Sequence, residues 1–329
     1  MAVYTHLTAD DFTALIAHYD VGTLISAKGI AEGVSNSNWL IETTQGRYIL
    51  TMYERRLDIA DLPFFLNLLD HLAAHGCPVP ATIHDRQGAA YRMVDGKAVA
   101  LIEFLPGVSI ERPNPRQAYA VGRALAELHL EAAGFAMVRE NDLRPADWKV
   151  MLNACDDARI DGIDTHLRPA IDGTLPQLIA EWPTDLPLST IHADLFPDNV
   201  LMIGDNVGGL IDFYFACTDF AAYDLAVTHA AWCFDDEGHV FDRATSDGLI
   251  AGYCSRRALS TSEWRALPLF AQGAAMRFVA TRTFDWIDTP DDALVTRKDP
   301  MAFVRRMEFY KRAGGSVFKP VEIPLSDQP

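Results

Sequence analysis

The strongest chemical signal in the chain is a short run of polar residues near its middle. His192, Asp194 and Asn199 form an H-x-D-x-x-x-x-N string, and Asp212 follows two short apolar runs. The spacing from Asp194 to Asn199 is that of a loop that catalyses phosphoryl transfer. This reaction needs one carboxylate beside the accepting hydroxyl and other oxygen ligands for metal ions. The string therefore predicts Asp194 as the catalytic carboxylate, and Asn199 and Asp212 as ligands of Mg²⁺.

The residues between the two predicted metal ligands read as a β-hairpin. Apolar runs at 200–203 and 208–211 flank Asp205-Asn206, a pair that favours a tight turn. A two-residue turn there places Asn199 opposite Asp212, with Cβ atoms about 5 Å apart. A longer turn shifts the register by about one position. Either register brings together two oxygen ligands of the kind that Mg²⁺ prefers.

Each of these polar residues alone also has a structural interpretation. Asp194 can cap a turn, Asn199 can end a strand, and Asp212 can be a satisfied buried acid. The whole set at this spacing favours the catalytic interpretation. His192 is interpreted differently, as a residue that holds the loop by hydrogen bonds and transfers no proton.

Composition excludes several classes of protein. The 329 residues carry a formal charge of −17 without a cluster of Lys or Arg, which disfavours nucleic-acid or anionic-membrane partners. No apolar run approaches the ~20 residues of a membrane helix, and the first residues lack a signal peptide, so we expect a cytoplasmic protein. The five cysteines form no C-x-x-C pair, which argues against a zinc site or a disulfide framework. The sequence leaves the oligomeric state undetermined.

The order of elements predicts an α+β fold with two lobes. A first helix, consecutive antiparallel strands around the small residues 33–38, a second helix and two more strands lead to Pro106-Gly107. Beyond this step the periodicity is mainly helical. We therefore predict a small β-rich N-terminal lobe at 1–105 that binds nucleotide, and a larger helical lobe at 106–329 that carries catalysis and the acceptor.

Three strings connect the chain to a known superfamily. The H-A-D-x-x-x-D-N string, 211–213 and 219–226 resemble the aminoglycoside phosphotransferase/choline kinase superfamily. More narrowly, 61–66, 192–200 and 209–217 are similar to the bacterial homoserine kinases built on that fold. The resemblance implies a protein-kinase-like fold, ATP with Mg²⁺ as the phosphoryl donor, and L-homoserine as the acceptor.

The resemblance also implies where ATP binds. The turn over the phosphates would be 33–38, whose small residues let backbone N–H groups approach phosphate oxygens. The backbone of 103–105 would meet the adenine. The residues implied in nucleotide binding are Gly33, Ser35, Asn36, Asn38, Thr51, Glu103 and Leu105.

One departure from the superfamily pattern concerns the third strand. The superfamily usually has Lys or Arg there, where this chain has Thr51, and the following helix has no Glu to pair with such a base. Arg47, Arg55 and Lys28 are candidates for a displaced cation that neutralises the phosphates. Without such a cation, the chain would be a non-catalytic nucleotide-binding pseudokinase.

The acceptor site is expected in the C-terminal part of the chain. An amino-acid acceptor needs a cation for its carboxylate, and a guanidinium binds a carboxylate through two parallel hydrogen bonds. Arg277 and Arg282, on a predicted helix at 270–284, are the candidates. A kinase of choline, a thioribose sugar or an aminoglycoside would instead need mostly acids or an aromatic box.

Overall fold

The computed structural model describes residues 7–30, 36–54, 58–289 and 297–319. The chain divides into two compact units. The first comprises Met1–Gly107 and Gly208–Tyr214, and the second comprises Val108–Val207 and Phe215–Pro329. The segment 208–214, which follows the catalytic string by only a few residues, therefore groups with the N-terminal unit.

The first unit contains a six-stranded antiparallel sheet and two helices. The strand order is β1-β2-β3-β6-β4, and β5 pairs with β6. In chain order the elements are α1 (Ala9–Ile16), β1 (Leu24–Ile30), β2 (Asn36–Thr43), β3 (Arg47–Tyr53), α2 (Leu62–Ala74), β4 (Thr82–Ile83), β5 (Arg92–Val94) and β6 (Lys97–Glu103).

Helix α1 begins where the sequence pattern indicates. The Thr8 hydroxyl accepts the Asp11 N–H and the Asp11 carboxylate accepts the Thr8 N–H, which completes a capping box. Phe12 and Ile16 then point into the core, with Trp39 from β2. This confirms the predicted first helix.

The two faces of the sheet pack differently because side chains alternate along a strand. Leu50 and Met52 of β3 belong to the core cluster that contains α1. Tyr53 belongs to a second cluster with Leu62 and Leu66 of α2. By alternation Thr51 lies on the Tyr53 face, so β3 presents two hydroxyl groups on that face.

The second unit is mainly helical. Its elements are α3 (Pro115–Glu131), α4 (Pro145–Asn153), α5 (Asp157–Ile163), α6 (Leu167–Asp172), α7 (Leu175–Glu181), β7 (Leu188–Ile191), β8 (Val200–Ile203), β9 (Asn206–Leu210, which ends in the first unit), β10 (Cys217–Phe220), α8 (Ala221–Trp232), α9 (Arg243–Arg256), α10 (Thr261–Asp288) and α11 (Met301–Ala313). Together with the antiparallel sheet of the first unit, this helical unit confirms the predicted α+β, protein-kinase-like fold.

Helix α10 is the longest helix of the described chain, and it packs against α4, α8 and α11. Helix α3 packs against α9. Strand β7 pairs with β10, and the catalytic string begins directly after β7. The loop that carries Asp194 therefore starts from a short strand pair within the helical unit. No helix in the described ranges is both long and apolar enough to cross a membrane.

The predicted hairpin forms, but its turn lies one residue earlier than expected. Strand β8 ends at Ile203 and β9 begins at Asn206, so the turn is Gly204-Asp205. Gly204 has φ +63°, a conformation that glycine adopts without steric cost. Asp212 lies beyond the end of β9, and the predicted register of Asn199 opposite Asp212, counted from Asp205-Asn206, was wrong.

Candidate active site

The catalytic loop is tied to helix α8 through its backbone. The Asp224 carboxylate accepts the N–H of His192 at 2.8 Å and the N–H of Ala193 at 2.7 Å. Asp224 is buried, which opposes its ionisation, but the hydrogen bond and charge of His129 still hold its pKa below the ordinary value. His129 Nε2 lies 3.0 Å from Asp224 Oδ2, and Tyr253 OH lies 2.8 Å from His129 Nδ1. A buried charged group thus fixes the start of the loop.

The loop bends sharply just before Asp194. Ala193 has φ +63°, in the left-handed region that costs a non-glycine residue energy. The Asp194 N–H donates to His192 Nδ1 at 3.2 Å, so this nitrogen carries no proton. The Trp232 indole N–H donates to the Leu195 carbonyl at 2.9 Å. These contacts confirm that His192 holds the loop by hydrogen bonds.

Asp194 is half-buried beside a buried cation. Arg277 Nη2 lies 3.7 Å from Asp194 Oδ1, and Arg277 also donates to the Ala193 carbonyl. Burial raises the pKa of Asp194, while the charge of Arg277 opposes the rise. The guanidinium of Arg277 therefore lies beside the carboxylate of Asp194 and positions it.

Asn199 presents its side-chain oxygen in a defined orientation. It ends a short 3₁₀ turn, Pro197–Asn199, and its Nδ2 donates to the Asp194 carbonyl at 2.8 Å. Within the described ranges no group donates to its Oδ1. An amide oxygen oriented in this way fits a ligand of a hard cation such as Mg²⁺.

Asp212 is exposed and lies in the first unit at φ +66°. Tyr214, two residues later, places its hydroxyl 3.1 Å from the Tyr53 hydroxyl, and its ring contacts Phe65 edge to face. Burial raises the pKa of both tyrosines, and the charge of Asp212 raises both further. An accessible carboxylate in this position has the chemistry of a Mg²⁺ ligand.

Three of the residues implied in nucleotide binding lie on the neighbouring strands β2 and β3 of the sheet. Asn36 and Asn38 lie in strand β2 and not in the turn predicted for them, opposite Tyr53 and Thr51 of β3. The Thr51 hydroxyl donates to Asn38 Oδ1 at 2.8 Å. Asn36 is buried, and its Oδ1 has no hydrogen-bond partner. Gly33 and Ser35 lie outside the described residues.

The candidates for a displaced cation lie in different places. Arg47 stacks on the Phe104 ring at 4.4 Å, and Lys28 is exposed on β1. Arg55 lies outside the described residues. Lys97 and Glu54 form an ion pair that the sequence analysis did not anticipate. Thr51 therefore has a neutral partner, Asn38, at the position where the superfamily usually has a base.

The predicted hinge follows the end of β6. The Glu103 N–H donates to the Ala81 carbonyl at 2.9 Å, and Glu103 pairs with Tyr48. Leu105 packs closely on Gly209, since a Cβ added at Gly209 would lie 2.6 Å from Leu105 Cδ1. Leu105 thus belongs to a closely packed part of the first unit, whereas the side chain of Glu103 is exposed.

The two arginines proposed for the acceptor occupy different environments on α10. Arg277 is 2% exposed, and its guanidinium lies 5.2 Å from the Phe215 ring and 4.8 Å from the Phe278 ring. Arg282 is half-buried and donates to the Asp299 carbonyl at 3.1 Å. Burial lowers the pKa of Arg282 to about 10. Arg277 supports the loop, and Arg282 is the more accessible of the two.

Three residues near the site were not predicted from the sequence. Asp224 and His129 were given no role, although Asp224 falls in the 219–226 string that carried the resemblance, and a charged residue inside an apolar helix was the available signal. The third is Arg306 of α11, which lies near Arg282. No local spacing relates Arg306 to the catalytic string.

The model of the phosphotransferase enzyme family matches residues 26–266, more than two thirds of the chain. The chain belongs to the phosphotransferase enzyme family. This confirms the superfamily predicted from the motifs and identifies the chain as an enzyme that transfers phosphoryl groups. Membership of this kinase family also implies ATP as the phosphoryl donor.

Relatives of this phosphotransferase match it along nearly its whole length. A homoserine kinase of Methylobacterium radiotolerans is 48% identical over 313 residues, which cover 95% of this chain and 97% of the relative. A homoserine kinase of Gluconobacter oxydans is 47% identical over 315 residues, with 95% and 99% covered. The predicted similarity to bacterial homoserine kinases is confirmed.

Solved structures confirm the fold of this phosphotransferase at low sequence identity. An amicoumacin kinase in complex with AMP-PNP and Ca²⁺ has a TM-score of 0.69 at 14% identity, with 93% of this chain and 94% of that chain covered. A choline kinase from Cryptosporidium parvum has a TM-score of 0.60 at 15% identity, with 89% and 90% covered.

Proposed function

We propose that this phosphotransferase transfers the γ-phosphoryl group of ATP to the side-chain hydroxyl of L-homoserine, forming O-phospho-L-homoserine and ADP. The acceptor oxygen forms a bond to the γ-phosphorus while the bond to the leaving oxygen of ADP breaks. Asp194 orients the hydroxyl and accepts its proton. The similarity to homoserine kinases over 94% or more of the chain supports this acceptor.

The observation that carries the choice of acceptor is the positive charge around Asp194. In a chain whose net charge is −17, a buried guanidinium lies at this carboxylate, with Arg277 Nη2 3.7 Å from Asp194 Oδ1. Burial raises the pKa of Asp194, the charges of Arg277 and Lys298 oppose the rise, and the charge of Asp198 adds to it. Such surroundings suit an acceptor with a carboxylate, and they repel cations such as choline and aminoglycosides.

The nucleotide is proposed to bind at strands β2 and β3 of the sheet and at the end of β6. Asn36, Asn38 and Thr51 offer neutral hydrogen-bonding groups to the phosphates, and the backbone of 103–105 meets the adenine. Gly33 and Ser35, which lie outside the described residues, stay predicted from the sequence as further phosphate-binding residues. Because Thr51 stands where the superfamily usually has a basic residue, the negative charge of the phosphates must be neutralised by Mg²⁺ and by cations elsewhere in the chain.

Asn199 and Asp212 are proposed to hold Mg²⁺. Each fits by its donor chemistry, since Asn199 has an oriented amide oxygen and Asp212 an exposed carboxylate. Bound Mg²⁺ supplies electrostatic stabilisation of the charge that develops on the phosphoryl oxygens. The hydrogen bond from Asn199 to the Asp194 carbonyl links the metal ligand to the catalytic residue.

An acceptor screen tests this proposal. The purified protein is incubated with Mg-ATP and either L-homoserine, choline, a thioribose sugar or an aminoglycoside, and both ADP release and the phosphorylated product are measured. We expect the highest kcat/KM with L-homoserine. A higher kcat/KM with another acceptor would refute the choice of homoserine, and ATP binding without phosphorylation of any acceptor would indicate a pseudokinase.

A further inference from the structure

Two arginine side chains lie on the same aromatic ring in the second unit. The guanidinium of Arg282 is 4.5 Å from the centre of the Phe303 ring, and that of Arg306 is 4.2 Å from it. Arg282 comes from α10 and Arg306 from α11, two helices that pack together. After burial, the charge of Arg306 is the next cause that lowers the pKa of Arg282. Two like charges are therefore held close together.

Neither guanidinium has a carboxylate partner within the described ranges. Arg282 donates to the Asp299 carbonyl at 3.1 Å. Arg306 Nη2 donates to the carbonyls of Asp235 at 2.7 Å and Asp236 at 3.2 Å, and its Nε is buried without a partner. Arg306 is only 4% exposed. Its charge is removed from water, its hydrogen bonds go to backbone oxygens, and the charges of Asp235 and Asp236 act on it without forming an ion pair in the described ranges.

Arg257, a half-buried arginine of the same unit, shows the usual arrangement. Arg257 Nη2 lies 2.7 Å from the carboxylate of Glu263, which is itself buried. A buried charge is tolerated when an opposite charge and hydrogen bonds compensate it. In a chain with 45 acidic side chains and 28 basic ones, two neighbouring arginines without an acidic partner require an explanation. An anionic ligand that binds between them would provide the missing compensation.

The position of the pair identifies the ligand. The Phe303 ring on which both arginines lie is 6.2 Å from the ring of Phe196 on the catalytic loop, so the arginine pair is close to that loop. The charges of Asp194 and Asp198 on the same loop also act on Arg282. Arg277 is excluded as a residue that binds the anionic ligand because its guanidinium already donates to the Ala193 carbonyl of the loop. A small acceptor that places its hydroxyl at Asp194 would extend its other end toward Arg282.

We infer that Arg282 and Arg306 together form the subsite for the carboxylate of the acceptor, and that Arg277 is a positioning residue for Asp194. This inference rests on the proposed function. Arg282 makes the accessible half of the subsite, and Arg306 the buried half. The subsite contains two positive charges without an ion pair in the described ranges, and a bound carboxylate would form ion pairs with both. The subsite therefore selects amino-acid acceptors over amino alcohols of the same length.

The test compares L-homoserine with 3-aminopropan-1-ol, which is the same molecule without its carboxylate. We expect the wild type to prefer L-homoserine by about 100-fold or more in kcat/KM. Methionine variants R282M and R306M remove the charge and keep most of the side-chain length. Each variant should raise KM for L-homoserine about tenfold or more and should reduce the preference by at least the same factor, while KM for ATP stays within about twofold.

Thermal unfolding separates a binding role from a structural one. L-Homoserine should raise the Tm of the wild type, and this shift should be lost in R306M. Without ligand, R306M should be at least as stable as the wild type, because the substitution removes an uncompensated buried charge. The exposed arginines Arg265 of α10 and Arg312 of α11 provide matched controls, and R265M and R312M should keep both the KM and the Tm shift.

The outcomes distinguish the subsite from the function on which it rests. If the wild type phosphorylates L-homoserine and R306M keeps its KM, its preference and its Tm shift, the subsite is refuted and the function stands. If the wild type does not phosphorylate L-homoserine, the proposed function fails. A loss of ligand-free stability in R306M, with the preference for L-homoserine unchanged, would assign Arg306 a purely structural role and also refute the subsite.

Discussion

At the scale of single residues, Asp194 is partly accessible to solvent and is held in place by contacts with neighbouring residues. Its side chain is half-buried, Arg277 lies 3.7 Å away, and Asn199 donates to its backbone carbonyl. These contacts fix the direction of the carboxylate without using all of its oxygen lone pairs. The arrangement is suited to hold an acceptor hydroxyl in one orientation.

The first prediction concerns the D194N variant. An amide cannot accept the hydroxyl proton, so kcat should fall by about 100-fold or more. The affinity for Mg-ADP should stay within about twofold, because Asp194 is proposed to face the acceptor. Steady-state kinetics and calorimetric titration with Mg-ADP measure the two quantities. A kcat close to that of the wild type would contradict the catalytic role of Asp194.

The second prediction concerns the D212N variant. Loss of the carboxylate charge should raise the Mg²⁺ concentration required for half-maximal activity by about tenfold, since a charge-assisted ligand is lost. Titration of Mg²⁺ against activity at fixed ATP measures this change. The D205N variant in the nearby turn is the control and should keep the wild-type metal dependence. If D212N keeps it too, Asp212 is not a metal ligand.

The sequence predicts residues whose role is encoded by local spacing. Asp194, Asn199 and Asp212 are proposed because one short string carries all three. Arg306 and Asp224 could not be predicted in this way. Their importance depends on which buried group lies across from them, and Arg306 is separated from Asp194 by more than 100 residues of sequence. A pattern within one segment contains no information on such a contact.

At the scale of elements, the packing of α3 against α9 depends on glycine. A Cβ at Gly252 would lie 2.0 Å from the Tyr119 carbonyl oxygen, and one at Gly122 would lie 2.1 Å from that of Leu249. Both distances are far below any tolerated contact. The two helix backbones therefore touch, and neither can move locally without disturbing the other.

The third prediction follows from this close approach. The G252A variant should lower the free energy of unfolding by about 1 to 3 kcal/mol, because the helices must separate to accommodate a methyl group. The matched control is G162A in α5, where a Cβ meets no atom within 4 Å. This variant should be unchanged or up to about 1 kcal/mol more stable. Urea denaturation of both variants measures the difference, and equal stabilities would contradict the packing argument.

The elements also differ in how well the sequence predicts them. Helices α1 and α2 have clear helical periodicity, so their positions were predicted. Strand β4 has only two residues, and its partner β6 lies later in the sequence. Strand β10 pairs with β7, which lies more than 20 residues earlier in the sequence. Such short strands depend on their partners and carry no periodicity of their own. The hairpin turn was misplaced because both Asp205-Asn206 and Gly204-Asp205 have turn-forming residues.

At the scale of the whole molecule, charge is distributed unevenly. The chain has a net charge of −17, yet Arg277 lies 3.7 Å from the carboxylate of Asp194, and the charges of Asp194 and Asp198 act on Arg282. Overall composition predicted the absence of nucleic-acid partners but contained no information on the local sign of the site. Both arginines come from α10.

The fourth prediction concerns stability against acid. His229 is buried, and its side chain contacts Tyr310 OH at 2.6 Å and Ser246 Oγ at 2.8 Å. Burial, with the charge of Arg243, lowers its pKa to about 3 from the ordinary 6.5. The unfolded chain therefore binds a proton below pH 6.5 that the folded chain does not bind. The contribution of His229 is complete above pH 6.5 and decreases between 6.5 and 3 as pH falls.

The H229Q variant tests this contribution because glutamine does not titrate. Between pH 6 and pH 4.5 the wild type should lose up to about 1.4 kcal/mol per pH unit more than the variant. Urea denaturation at several pH values in this range provides both slopes. Identical slopes for the two proteins would mean that His229 is not held neutral in the folded state.

The carboxylate of Asp224 has a consequence for the exchange of backbone protons with solvent. It accepts the N–H groups of His192 and Ala193, and both residues are buried. Through His129 and Tyr253 it is also linked to α3 and α9, whose backbones touch. These two amide protons can therefore exchange with deuterium only when the helices open. The backbone next to the catalytic residue would be among the slowest-exchanging segments of the enzyme, although a loop usually exchanges fast.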